Sequence, residues 1–114
     1  MNDIDSILIS IKKTLGMPKD YTHFDTDLII HLNSVFMILK QLGVGPPEGF
    51  YIEDDTALWE EFIEDPIECA GVKTYMYAKA RLVFDPPQNS TIMKCLQDTV
   101  AEFEWRLNVD AEST

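Results

Sequence analysis

What this chain has little of narrows its chemistry. Only nine of its 114 residues are Lys or Arg, against 20 Asp and Glu, for a formal net charge of −11. Holding a phosphate backbone requires clustered cations that release counterions, and this composition repels such a backbone at long range. DNA binding by a free monomer is therefore not expected. Long apolar runs are also missing, so no membrane-spanning helix is expected. The opening Met1-Asn2-Asp3-Ile4-Asp5 lacks the basic start and apolar segment of a signal peptide. The expectation is a protein that stays in the cell that makes it.

Cysteine is scarce too. Cys69 and Cys95 both fall inside helical patterns and are expected to be free thiols that pack as small hydrophobes. His23 and His31 form no His, Cys and carboxylate set with metal-ligand spacing. There is no Gly-rich phosphate loop, no CxxC and no Gly-x-Ser-x-Gly. The one acid–base pair at helical spacing is Asp27 with His31, four residues apart. It sits on an otherwise apolar helix without a nucleophile or cleft motif, where a packed histidine explains it better. No catalytic residue, metal or cofactor is expected.

What is present reads as helix. Apolar residues make up 46% of the chain, enough for one soluble domain over residues 1–114 with a real core. Asp5 and Ser6 can cap a first helix carrying Ile7, Leu8, Ile11 and Leu15, which Gly16 and Pro18 end. A second helix over about 26–42, capped by Asp25 or Thr26, has Leu28, Leu32, Val35, Phe36, Leu39 and Leu42 on one face. Ile29, Ile30, Met37 and Ile38 occupy its other faces. A helix apolar nearly all round is either central in its domain or shared with a neighbouring chain, and a small domain favours the second.

Residues 43–55, GVGPPEGFYIEDD, cannot be helix. They predict a long ordered loop, either tucked in by Phe50, Tyr51 and Ile52 or functional in its own right. Thr56 is the expected cap of a short helix with Leu58, Trp59, Phe62 and Ile63, and Pro66 opens a fourth helix running to about Phe84. On that helix Val72, Tyr75, Met76 and Val83 should face the core. The fifth helix, about 90–107, has Ile92, Leu96, Val100, Phe103 and Leu107 as its stripe, followed by a polar, frayed tail over 108–114. Between these last two helices Pro86-Pro87 sets an angle, and Asn89 or Ser90 can cap. The fold class is all-α: a compact bundle of four to five helices with a long loop between the second and third.

Three features exceed a plain bundle. Trp105 points almost opposite the fifth helix's stripe, so it either anchors a protein interface or covers the domain's own loop. Lys73, Tyr77, Arg81 and Phe84 line up away from the expected core of the fourth helix. The acids Glu53, Asp54, Asp55, Glu60, Glu61, Glu64 and Asp65 fall in one segment without a single base. A basic and aromatic stripe on one copy can meet an acidic segment on the next, and pairing two different surfaces head to tail closes into rings.

The order of these pieces is also familiar. FDTDLIIHLNSVFMIL, the Gly/Pro loop, VKTYMYAKARLVFDPP and AEFEWRLNV together resemble the head–tail connector (adaptor) proteins of long-tailed bacteriophages and prophages, over about Ile4 to Val109. The resemblance implies a structural virion protein, not an enzyme, assembled in the host bacterial cytoplasm into the virion neck. It implies a homo-oligomeric ring, typically of twelve, beneath the portal protein, which extends the DNA channel towards the tail. Other neck and tail-completion proteins would be further partners, and DNA would pass without sequence-specific binding. The loop carrying Pro46, Pro47, Glu48, Phe50, Tyr51, Glu53, Asp54 and Asp55 would face the channel or an adjoining ring. Lys73, Tyr77, Arg81, Phe84, Trp105 and Arg106 are the expected interface residues. An acidic channel wall would pass a polyanion without holding it. The alternative is a small acidic helical protein-binding or regulatory module encoded by a phage or prophage.

Overall fold

A computed structural model describes residues 5–112, with side chains through Val109. Its five helices are α1 (Ile7–Thr14), α2 (Asp25–Gln41), α3 (Trp59–Phe62), α4 (Pro66–Phe84) and α5 (Ser90–Glu112). Among the described residues the extended pairing is a lone antiparallel bridge between Ser6 and Leu58. The protein is an all-α bundle, flattened to 40 × 37 × 21 Å.

The start of α1 is held twice. The Ser6 hydroxyl accepts from the Ile9 N–H at 3.3 Å as a helix cap, and donates to the Asp55 carbonyl at 2.7 Å. Ile7 N–H adds a bond to the Ala57 carbonyl at 3.0 Å. One turn on, the Trp59 indole donates to Ser10 Oγ at 2.8 Å, which fixes α3 on α1. Lys12 is only 2% exposed; its ammonium pairs with Asp25 at 2.8 Å and donates to the Lys19 carbonyl at 3.0 Å. A buried cation needs such partners. That pairing also explains why Asp25 does not cap α2: the helix starts at Asp25 behind Phe24, without a side-chain cap.

The hub is α4, which packs against each of the other four helices. Val72, Tyr75, Met76, Ala78 and Ala80 are all buried on it, so its apolar surface wraps most of the way round. Val83 is a correction: it is 59% exposed, because the helix end runs past the core. Asp65 accepts from the Ile67 N–H at 2.9 Å and Pro66 fills the first turn. Thr56 does not cap α3. Its N–H and hydroxyl are taken by the Asp54 carboxylate, and the Glu61 carboxylate accepts the Leu58 N–H at 2.7 Å instead.

The connection between α2 and α3 is anchored at defined points. Asn33 pairs with both backbone groups of Ile52, at 3.0 and 2.8 Å, and the Phe50 ring meets Phe36 edge-on and Phe62 at a tilt, at 5.0 and 5.1 Å between centroids. Gly45 has φ +90°, and a Cβ there would collide with the Phe62 ring.

Helix α5 lies on α4 and begins where Asn89 Oδ1 accepts the N–H groups of Thr91 and Ile92 at 2.8 and 3.2 Å. Of its expected stripe only Val100 is buried; Leu96, Phe103 and Leu107 are half-buried and Ile92 is half exposed. Ile92 stands near the Pro86-Pro87 turn, at the start of the helix. The helix also continues through Glu112 and does not end at Leu107. Neither Gly nor Pro follows Leu107 to stop it, and Asn108 reaches back to the Leu42 carbonyl at 3.4 Å. Residues 113 and 114 of the expected frayed tail lie outside the described residues.

Candidate assembly interface

Since α4 is the centre, the apolar outer face of α2 needs another explanation. Ile30, Ser34, Met37 and Gln41 recur at three- and four-residue spacing and form a ridge. Ile30 and Met37 on it are 64% and 62% exposed. A groove flanks the ridge on each side. One, about 490 Å³, lies between α2 and the end of α4 and is lined by Asp27, Ile30, His31, Ser34, Val83 and Phe84. The other, about 480 Å³, lies towards the loop and includes Met37, Lys40, Glu48, Phe50 and Tyr51. From Leu28 to Pro47 the chain has no acid at all. In a protein this acidic, that stretch offers a partner the least repulsion.

Asp27, His31 and Ser34 share the first groove and are the residue types of a nucleophilic triad, but their geometry is not that of one. The Ser34 hydroxyl donates to the His31 backbone carbonyl at 2.6 Å. His31 Nε2 is sealed from solvent with no hydrogen-bond partner among the described residues, and its ring meets the Phe84 ring edge-on at 5.6 Å. Desolvation, followed by the nearby Lys79 ammonium, holds its pKa below the ordinary histidine value, against a backbone hydrogen bond with Lys79 that raises it. A neutral imidazole that does not reach the hydroxyl cannot activate it.

The expected interface residues divide. Trp105 is 67% exposed, and Arg106 beside it is exposed with its guanidinium on Glu102 at 2.7 Å. Ala101, Trp105 and Val109, all exposed at four-residue spacing, form a short apolar strip along the outside of α5. The stripe on α4 is only partly exposed. Lys73 alone is exposed, and its ammonium lies over the Trp59 ring at 5.4 Å in a notch shared with Glu60 and Glu64 of its own chain. Tyr77, Arg81 and Phe84 are half-buried, with Arg81 3.9 Å from Asp85. Because α4 is surrounded, it has no wide outer face, and helical spacing alone could not show that.

The loop residues divide as well. Pro47, Glu48, Tyr51, Glu53, Asp54 and Asp55 are exposed, Pro46 is half-buried and Phe50 serves the core. The signal missed in the sequence was the α2 groove, where Ile30 and Val83 come together from separate helices. A stretch free of acid within an acidic chain was its legible trace.

Here the comparison with protein families decides the reading. A family model described as a phage connector protein matches residues 7–114. The chain belongs to the phage connector family. Comparison with curated proteins and with solved structures gives no match. The connector's role is structural, and a bundle with an unfilled apolar groove and an exposed tryptophan suits a protein whose work is contact. No helix among the described residues is long and apolar enough to cross a membrane.

Proposed function

We propose that this connector is a subunit of a ring in the virion neck, set beneath the portal, through which DNA passes towards the tail. The observation that carries this reading is the exposed ridge of α2 on a chain of the connector family: a helix whose inner face is buried in the core still presents Ile30 and Met37 on its outer face. Large apolar side chains exposed beside apolar grooves mark a contact surface. Portal and neck or tail-completion proteins would hold the two faces of the ring, with Trp105 and Arg106 among the contacts. The exposed acids Glu53, Asp54 and Asp55 would face the channel or an adjoining ring, where repulsion keeps DNA from adhering. Ring number twelve and assembly in the host bacterial cytoplasm belong to the same proposal.

Mixing the purified protein with its portal, followed by sedimentation and negative-stain microscopy, tests it. Portal assemblies should gain a ring-shaped layer. A protein that stays monomeric and binds neither portal rings nor virions would overturn the proposal.

A further inference from the structure

We propose that α5 is a hinged arm, which opens from α4 as one unit about residues 85–89 while α1–α4 stay folded, with the Tyr75–Glu104 hydrogen bond as its latch. The inference goes beyond the ring reading above and does not depend on it. It starts from how little of the core α5 supplies. Among the described residues, Val100 is the one buried apolar side chain that α5 adds to a core otherwise built from residues 7–80. Leu96, Phe103 and Leu107 pack against that core half-buried, while Ile92, Trp105 and Val109 stand out in solvent. Undocking α5 would uncover the α4 surface beneath it and leave α1, α2 and α3 packed on α4. Apolar burial sets much of the cost of opening, so a helix with so little of it opens before the core does.

The polar contacts of α5 agree. Most lie inside the helix and travel with it: Lys94 with Asp98 at 3.6 Å, Arg106 with Glu102 at 2.7 Å, Thr99 Oγ1 on the Cys95 carbonyl at 2.9 Å, and the Asn89 cap. Among the described residues, its polar ties to the rest of the chain centre on Glu104, which accepts from the Tyr75 hydroxyl at 2.7 Å and lies 3.9 Å from the Lys79 ammonium. Asn108 adds the longer bond to the Leu42 carbonyl, at 3.4 Å. The Tyr75 bond is the short, charge-assisted one and therefore the strongest of these. The hinge is free as well. Pro86 and Pro87 have no N–H to donate, and no hydrogen bond holds residues 86–88 among the described residues. Asp85, Pro86, Gln88 and Asn89 are exposed. Beneath the arm, Gly71, Tyr75 and Lys79 recur every four residues along α4, and a Cβ on Gly71 would lie 3.9 Å from the Phe103 ring. Opening bares this line together with the apolar stripe of α5. A change of shape on joining a partner then falls on α5, the part that moves without dismantling the core.

Hydrogen–deuterium exchange of the full chain, read by mass spectrometry, tests the arm. Helices in proteins keep their structure mainly through packing, so the amides of α5 exchange when it undocks. Peptides over 93–107 should exchange together and faster than those of α2 and α4. Tyr75→Phe keeps the ring and removes the latch; it should speed exchange over 93–107 about 10-fold, while α1 and α2 keep their wild-type protection. Three results would overturn the proposal: protection of 93–107 equal to that of α2 and α4, a loss graded from the C-terminal end that leaves 93–100 as protected as α4, or a Tyr75→Phe effect shared by every helix. If Tyr75→Phe does not fold, Glu104→Ala removes the same bond from a half-buried position and should give the same pattern, and wild-type rates over 93–107 in that variant would refute the latch. The ring reading is tested separately, by portal binding.

Discussion

Gly45 is held by its backbone and its surroundings at once. Its φ of +90° is costly for any side chain, and the Phe62 ring fills the space a Cβ would need. Gly45→Ala should therefore destabilise the protein by roughly 1–3 kcal/mol from backbone strain alone, with ring displacement added, seen as a lower urea midpoint. His31 predicts a pH dependence. Its folded pKa is depressed, so the folded state binds fewer protons than the unfolded state just below the ordinary value of 6.5. The stabilisation from a neutral His31 is complete above that value and is lost as pH falls towards the folded pKa. The charged groups near it are Lys79 across on α4 and Asp27 one turn earlier on α2. Urea unfolding at pH 7.5 and 5.5 should show a smaller pH effect in His31→Gln than in wild type; equal effects would remove His31 from this role.

At the scale of elements, α5 is the helix held most locally. It lies on α4 through Val100 and half-buried neighbours, with the buried Tyr75 hydroxyl donating to Glu104 at 2.7 Å. Burial, then that bond and the charge of Glu104, push the Tyr75 pKa far up, so the phenol stays protonated as a donor. The start of α5 depends on Asn89, and Asn89→Ala should cost about 1 kcal/mol by thermal or urea unfolding while α1–α4 keep their structure. Ser6, Pro66 and Asn89 were legible because caps and proline act on their own neighbours. The two ends of α4 were legible for the same reason. The cap of α3 was not, since Asp54 competes for Thr56 and Glu61 reaches back to Leu58. Nor was the burial of Lys12, which depends on Asp25 and the Lys19 carbonyl arriving from a separate segment. The half-burial of Tyr77, Arg81 and Phe84 on α4 was not legible for a related reason: periodicity orders one helix's faces without saying how many neighbours surround it.

At the scale of the whole molecule, charge and shape point the same way. The chain carries −11, with seven acids in residues 53–65, yet the ridge of α2 lies in a stretch free of acid from Leu28 to Pro47. Copies that repel each other through most of their surface can meet where apolar burial outweighs repulsion. The central claim is that this connector is present in several copies around the neck, joined through the exposed ridge of α2. A cryo-electron microscopy map of the neck in intact particles tests this most directly. The account predicts a ring of five-helix subunits beneath the portal, with each α2 ridge covered by a neighbouring subunit. A neck without this chain, or a ring whose α2 ridges all face solvent, would contradict it.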